Sequence, residues 1–423
     1  MYDIFVTVTI FFTVYIFIIS EKIHRTIASM IGAAALIFLQ IFENPHEVYI
    51  RYVDFDTVFL LIGMMLFVAA MKRTGFFQYL GIKGLKISRG SPKMLFFILT
   101  AIVAVVSAFI DNVTTILIFI PMTLAVTDVI GIDPSPFVLG EIFASNIGGT
   151  ATLIGDPPNI IIGTNAHLSF SDFLVNLAPA SFTIFLIVDT FLMFIYRKEL
   201  SIDLKSFIRD DMFREEKNPK LFMGEILLGT TIFLFLLQHK LNISGSSIAL
   251  MMGFLSVLVI EKDQLEEFLR EVDWETIFFF VALFIITGAL EETGILEKMA
   301  YFMVDLAGSS LKKFEMILIS FSASLSAFVD NIPYTATMVH VINHLKEIDP
   351  KTFSDLNPLW WSLALGACLG GNGTPIGASA NVVALQILSQ NGKKIKFWKF
   401  SIVGLSVVVL SILTASVYVY IRY

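Results

Sequence analysis

This chain has one cysteine, little charge and no long polar stretch, and each shortage removes a class of function. Cys368 stands alone in 423 residues, so an intramolecular disulfide, a Cys-x-x-Cys redox pair and a multi-thiolate metal centre are all excluded. Charged residues make up only 15% of the chain, well below the roughly 25% of a soluble globular domain. No polar segment is long enough to form a soluble catalytic domain. The formal net charge of -7 argues against nucleic acid as a partner. The first apolar run, Ile4 to Ser20, has no basic leader and no small-residue cleavage site. It is therefore expected to remain as a membrane span, with the mature protein beginning near Met1.

What the chain does have is hydrophobic residues, 56% of the total, with a mean hydropathy of +0.80. That composition belongs to a polytopic membrane protein. Runs long enough to cross about 30 Å of hydrocarbon recur throughout. They fall at 3–20, 25–42, 55–71, 136–163, 174–196, 221–238, 245–260, 275–290, 358–388 and 400–420, which makes ten crossings. Two more apolar stretches, 94–127 and 313–343, each break near the middle at an Asp-Asn pair and read as re-entrant hairpins.

Those pairs expose an internal repeat. Ser107-Ala-Phe-Ile-Asp111-Asn112 returns 219 positions later as Ser326-Ala-Phe-Val-Asp330-Asn331. Phe55-Asp56-Thr57-Val58-Phe59 pairs with Trp274-Glu275-Thr276-Ile277-Phe278 at the same offset, and Thr74-Gly75 with Thr293-Gly294. Shared offsets in separate blocks mark a duplicated unit. The expected domains are a first repeat over 1–197, a cytoplasmic linker over 198–220 and a second repeat over 221–423. Five crossings and one hairpin per half is an odd number of passes, so the second half is expected upside down relative to the first. This is the inverted-repeat plan of secondary transporters.

Charge placement agrees. With the 72–93 loop taken as cytoplasmic, inside segments carry 21 of the 29 Lys and Arg residues, which places both termini outside. The mixed segments 74–92 and 294–311 read as amphipathic helices lying at the interface.

Each hairpin is followed by a glycine-rich break inside a span. The first runs from Asn146 through Gly148, Gly149, Thr150, Thr152, Gly155 and Asp156 to Asn159; the second runs through Gly371, Asn372, Thr374 and Gly377 to Asn381. Gly148, Gly149, Thr152, Gly155 and Asn159 match Gly370, Gly371, Thr374, Gly377 and Asn381 at an offset of 222. Proline and glycine at this density unwind a helix. Non-helical backbone at membrane depth is tolerated only in protein or beside a watered cavity, where free carbonyls coordinate cations.

A charged carboxylate at the bilayer centre costs about 2.5 to 3.5 kcal/mol, so a doubled Asp marks an ion or substrate path. Asp111 and Asp330 are thus candidate ligands for a proton or a hard cation, with sodium expected among Asp111, Asn112, Asp330 and Asn331. N-capping of the second hairpin arms is the competing role of these residues. Thr114 lies in the first turn after Asp111. Asp156 has Ala378 as its match; it either breaks the symmetry functionally or forms the turn before Pro157-Pro158. Glu141 is placed either in the protein or at the interface, and His340 and His344 are read as structural. Phenylalanines at helical spacing are read as packing or lipid-facing residues.

These four motifs, each quoted above or continuing from it, resemble the ArsB/NhaD branch of the ion transporter superfamily: Ser107 to Thr115, Asn146 to Asn159, Asp330 to Met338 and Gly366 to Asn381. That branch includes arsenite permeases, NhaD-type sodium/proton antiporters and the melanosomal P protein, within a wider citrate-transporter-like group. The resemblance covers residues 50–420. It implies a homodimeric scaffold, a mobile unit of hairpins and broken helices that moves like an elevator, and coupling to an ion gradient. Dicarboxylate carriers of the wider superfamily have Ser-Asn-Thr at the hairpin tips, where this chain has Asp111-Asn112-Val113 and Asp330-Asn331-Ile332. Fixed negative charge there disfavours a carboxylate substrate. The second break is most similar to P-protein-like members.

The expected protein is an all-α polytopic transporter in the cell (plasma or inner) membrane. It has no enzymatic activity and no cofactor beyond sodium or protons as the coupling ion. Its expected substrate is a small inorganic ion, through sodium/proton antiport or arsenite and oxyanion efflux. A sodium-coupled di- or tricarboxylate carrier and an ion channel are the alternatives. An intramembrane aspartyl protease is disfavoured because Leu153-Ile154-Gly155-Asp156 lacks the Gly-x-Gly-Asp such enzymes carry.

Overall fold

In hydrocarbon a backbone amide finds no water, so a chain this apolar satisfies its N–H and C=O groups inside helices. The computed structural model describes residues 2–20, 23–88, 91–201, 219–307, 310–328 and 331–423, and among them it contains helices and no strand. Most of the expected linker, 202–218, lies outside the described residues, as does Asp330.

The first half runs α1 (Tyr2–Ser20), α2 (Arg25–Phe38), α3 (Val48–Tyr52), α4 (Phe55–Arg73), α5 (Phe76–Ser88), α6 (Pro92–Ser107), α7 (Asn112–Ile130), α8 (Ser135–Gly149), α9 (Pro157–Asn165) and α10 (Phe170–Ile195). The second half runs α11 (Pro219–Leu241), α12 (Gly245–Glu261), α13 (Leu265–Glu271), α14 (Trp274–Glu292), α15 (Ile295–Ala307), α16 (Leu311–Ser326), α17 (Asn331–Ile348), α18 (Asn357–Gly370), α19 (Ser379–Gln390) and α20 (Phe397–Arg422). The starts of α4, α5 and α6 recur 219 residues later in α14, α15 and α16, and those of α8 and α9 recur 222 later in α18 and α19. Caps recur with them. Asp54 accepts from Thr57 N at 3.2 Å and Asp273 from Thr276 N at 3.0 Å, while Ser91 and Ser310 cap α6 and α16.

Among the described residues six spans are long and apolar enough to cross a membrane: Phe55–Arg73, Phe170–Ile195, Lys220–Gln238, Gly245–Glu271, Trp274–Glu292 and Phe397–Arg422. The apolar stretches Tyr2–Ile18 of α1 and Arg25–Phe38 of α2 are shorter, and α2 stops at Phe38, four residues before the expected 42, because Gln40 turns left-handed at φ 55°. The stretches 136–163 and 358–388 are each two helices separated by a break. Two short helices, α3 and α13, were not foreseen. Both end two residues before a matched cap, at Tyr52 and Glu271, again 219 apart.

Packing between the halves is reciprocal. α4 lies along α12 while α14 lies along α2, and α9 packs on α17 while α19 packs on α7. Within each half the first hairpin arm lies against the broken helix, α6 on α8 and α16 on α18. Glycine allows the tightest of these crossings: a Cβ on Gly63 would sit 2.3 Å from the Ala249 carbonyl carbon, and one on Gly253 2.4 Å from Gly63 O.

Candidate functional site

The two breaks take their shape from small residues pressed against the hairpins. A Cβ on Gly148 would come 2.0 Å from Ala104 O, and one on Gly370 2.6 Å from Ala323 O, so only glycine lets each broken helix approach its hairpin's first arm. Gly155 and Gly377 are equally confined, by Gly149 O and Gly371 O at 2.6 and 2.7 Å. Side chains then tie each loop down. Asn159 Nδ2 donates to the carbonyls of Gly149, Thr150 and Thr152, and Asn381 Nδ2 to those of Gly371 and Thr374. Thr152 donates to Ala108 O, and Thr374 Oγ1 to Ala327 O at 2.5 Å. Thr150 Oγ1 returns to Asn146 O at 2.8 Å. These residues, read from sequence as ion ligands, give their side-chain bonds or close contacts to backbone.

Two residues that the sequence reading did not weigh complete the clamp. Ser107 Oγ donates to Ser145 O at 2.8 Å and Ser326 Oγ to Ala367 O at 2.5 Å. Both serines open the doubled hairpin motif, which was the available signal.

The polar centre is a chain of buried amides around one carboxylate. Asn112 Nδ2 donates to Asn146 Oδ1 at 3.0 Å and to Asp156 Oδ1 at 3.4 Å. Asn146 Nδ2 continues across the halves to Asn372 Oδ1 at 2.8 Å and Asn381 Oδ1 at 3.0 Å. Asn331 Nδ2, from the other hairpin, reaches both Asp156 oxygens at 3.5 and 3.4 Å. Asp156 therefore joins the two hairpin tips and is itself only 1% exposed. The centre is asymmetric. At the offset of 222, Asn146 is matched by Cys368 and Asp156 by Ala378, and Cys368 Sγ donates to Asn159 Oδ1 at 3.5 Å.

A cavity of about 350 Å³ reaches this centre and is lined by Asp111, Asn112, Thr114, Asp156 and Asn331. Asp111 serves as the α7 N-cap, accepting from Thr114 N at 2.8 Å, while also facing the cavity. The cavity walls add Arg25, Lys72 and Asp273, which lie at helix ends and were assigned to loops in the sequence reading. Of the expected sodium ligands, Asp111, Asn112 and Asn331 share the cavity, and Asp330 lies outside the described residues. Among the described residues no group of three His, Cys, Asp or Glu is arranged to hold a metal ion. Glu141 is fully buried and accepts from Thr123, and His340 pairs with Glu291 at 3.1 Å.

Residues 15–366 match the CitMHS family model, described as citrate transporter. The chain belongs to the citrate transporter family. As a member of that family it is a multi-pass membrane transporter, and its relatives bear the names of transporters and membrane proteins. It is 37% identical over 427 residues to a 46 kDa membrane protein of Mycobacterium leprae, covering 99% of this chain and 98% of that protein. An uncharacterised transporter of Mycobacterium tuberculosis is 38% identical over 427 residues. The human P protein is 32% identical over 486 residues, which span 94% of this chain and 57% of that longer protein. The family fold is also seen in the YdaH transporter of Alcanivorax borkumensis, at a TM-score of 0.59 and 14% identity over 92% of this chain and 88% of that one.

Proposed function

We propose that this citrate transporter family member is a secondary active transporter of a small inorganic ion, coupled to a proton or sodium gradient. Its two halves are inverted repeats. The observation that carries the reading is the buried Asp156 carboxylate, which receives an amide from the tip of each hairpin. An ion or proton gained there changes what both hairpins are bonded to, which couples occupancy to movement. Asp156, Asp111 and the side-chain carbonyls of Asn112 and Asn331 supply hard oxygen donors of the kind an alkali cation takes. Asn372 adds a buried NH2 group with no acceptor among the described residues, and a substrate oxygen or water would complete its bonding. Sodium/proton antiport and oxyanion efflux both fit this donor set.

A di- or tricarboxylate substrate is the second reading, favoured by the family's description and by Arg25 and Lys72 on the cavity wall. Flux in proteoliposomes under imposed proton and sodium gradients, with sodium, arsenite and citrate compared, separates the readings. Saturable uphill movement of sodium or arsenite without citrate supports the first. Citrate uptake driven by sodium replaces it with the second, and non-saturating downhill current in every case overturns both.

A further inference from the structure

Two matched aspartates sit in different surroundings. Asp54 and Asp273 are 219 residues apart, each caps the helix that follows, and each accepts from its own threonine hydroxyl, Thr57 at 2.7 Å and Thr276 at 2.6 Å. Asp54 Oδ2 also accepts from Thr164 Oγ1 at 2.6 Å and Asn165 Nδ2 at 3.4 Å, at the far end of α9, and Thr57 reaches Thr164 at 2.9 Å. Among the described residues the Asp273 side chain accepts hydrogen bonds from Thr276 alone, and it faces the 350 Å³ cavity. The match of Thr164 on α19 is Gln386, which is exposed on a neighbouring cavity of about 420 Å³.

The helix ends and hairpins repeat the contrast. Glu291 at the end of α14 holds His340 of α17 at 3.1 Å, whereas its match, Lys72, lies on the cavity wall facing Asp111. Every residue of α17 from Asn331 to Val339 is buried. On α7, Leu117 lines the cavity and is 45% exposed, while its match Ala336 is 1% exposed. On one side of the centre the matched positions are therefore joined by direct bonds, beside a cavity of about 290 Å³ that Thr164 also lines, and on the other side the same positions stand apart across the larger cavity.

We propose that the bonds from Asp54 to Thr164 and Asn165 form a latch that holds one side of the transporter closed, and that Asp273 and Gln386 form the matching latch of the opposite state. This rests on the proposed transport reading, because a pore open to both sides needs no alternating closure. Two states of one repeat pair exchange which half is sealed, so losing the latch in one half moves the population toward the other state.

The test uses two single-cysteine reporters, Leu117→Cys and Ala336→Cys, in purified full-length protein in detergent. Each is labelled with a water-soluble maleimide while the buried Cys368 stays in place. Thr164→Val is expected to slow Leu117→Cys labelling and speed Ala336→Cys labelling, so that the ratio of the two rates changes by about fivefold, the weight of a hydrogen bond. Thr164→Ser, which keeps the hydroxyl, is expected to leave both rates near the parent's. Unchanged rates in Thr164→Val overturn the latch, and so does a rise at both reporters, which signals general loosening. Where Thr164→Val does not purify, Asn165→Ala in the same assay carries the same expectations at a smaller shift. No gradient or transported ion enters the measurement. A failed flux experiment with an intact reciprocal shift therefore removes the ion assignment and leaves the latch.

Discussion

Asp156 is the carboxylate on which both hairpin tips converge, so its charge and its reach are tested separately. In Asp156→Asn the amide neighbours keep a partner of the same size, yet the group can no longer take up a proton and no longer carries the charge that offsets a bound cation. Gradient-driven flux is expected to fall to the level of empty vesicles while the melting temperature stays near that of the parent. Asn146 has the opposite profile. It accepts from Asn112 and donates to Asn372 and Asn381, all buried. Asn146→Ala strands the Asn372 and Asn381 side-chain oxygens away from water and leaves Asn112 with Asp156 alone, and a loss of about 2 kcal/mol or more in stability, read as a lowered melting temperature, is expected before any effect on flux is interpretable.

At the scale of elements, the hairpins and broken helices fit only because glycine occupies their contacts. Gly148→Ala pushes a methyl group into the Ala104 carbonyl, which belongs to backbone and cannot step aside. A loss of about 1 to 3 kcal/mol in thermal unfolding is expected, with Gly370→Ala behaving alike on the other half. Gly229 provides the control. A Cβ there meets nothing within 4 Å, so Gly229→Ala in α11 is expected to hold or raise stability by about 0.5 to 1 kcal/mol. If Gly148→Ala melts with the parent, the tight contact between α6 and α8 does not govern stability.

Across the whole molecule, matched helix ends carry opposite charge and still make the same kind of tie. Arg73 closes α4 against Glu261 at 2.6 Å and Glu271 at 3.0 Å, and its guanidinium lies 4.0 Å over the Phe268 ring. Its match, Glu292, accepts from Tyr52 and from Glu43 N. Burial, with the Glu292 carboxylate beside it, pushes the Tyr52 phenol up, so it remains a donor throughout physiological pH. Arg73→Gln removes several charge-assisted bonds and the ring contact in one change. A lowered melting temperature that high salt partly reproduces in the parent is expected, since these groups are only partly screened from water. A parent insensitive to salt would show that packing alone holds this end.

The sequence by itself determined the helical membrane class, the two offsets, the repeated Asp-Asn pair and the glycine breaks. Each of these rests on local properties: hydropathy over a span, proline and glycine at a break, and repeated spacing along one chain. The tertiary structure decided that Asp156 joins both hairpin tips, that Cys368 stands where Asn146 stands in the other half, and that Arg25, Lys72 and Asp273 wall the cavity. Asn331 and Asp273 come from the opposite half to Asp156, more than a hundred residues away along the chain. Only the reciprocal packing of α9 on α17 and α19 on α7 brings them together. The different bonding of Asp54 and Asp273 was hidden for the same reason, because the two have similar neighbours in sequence and differ in what the other helices place against them.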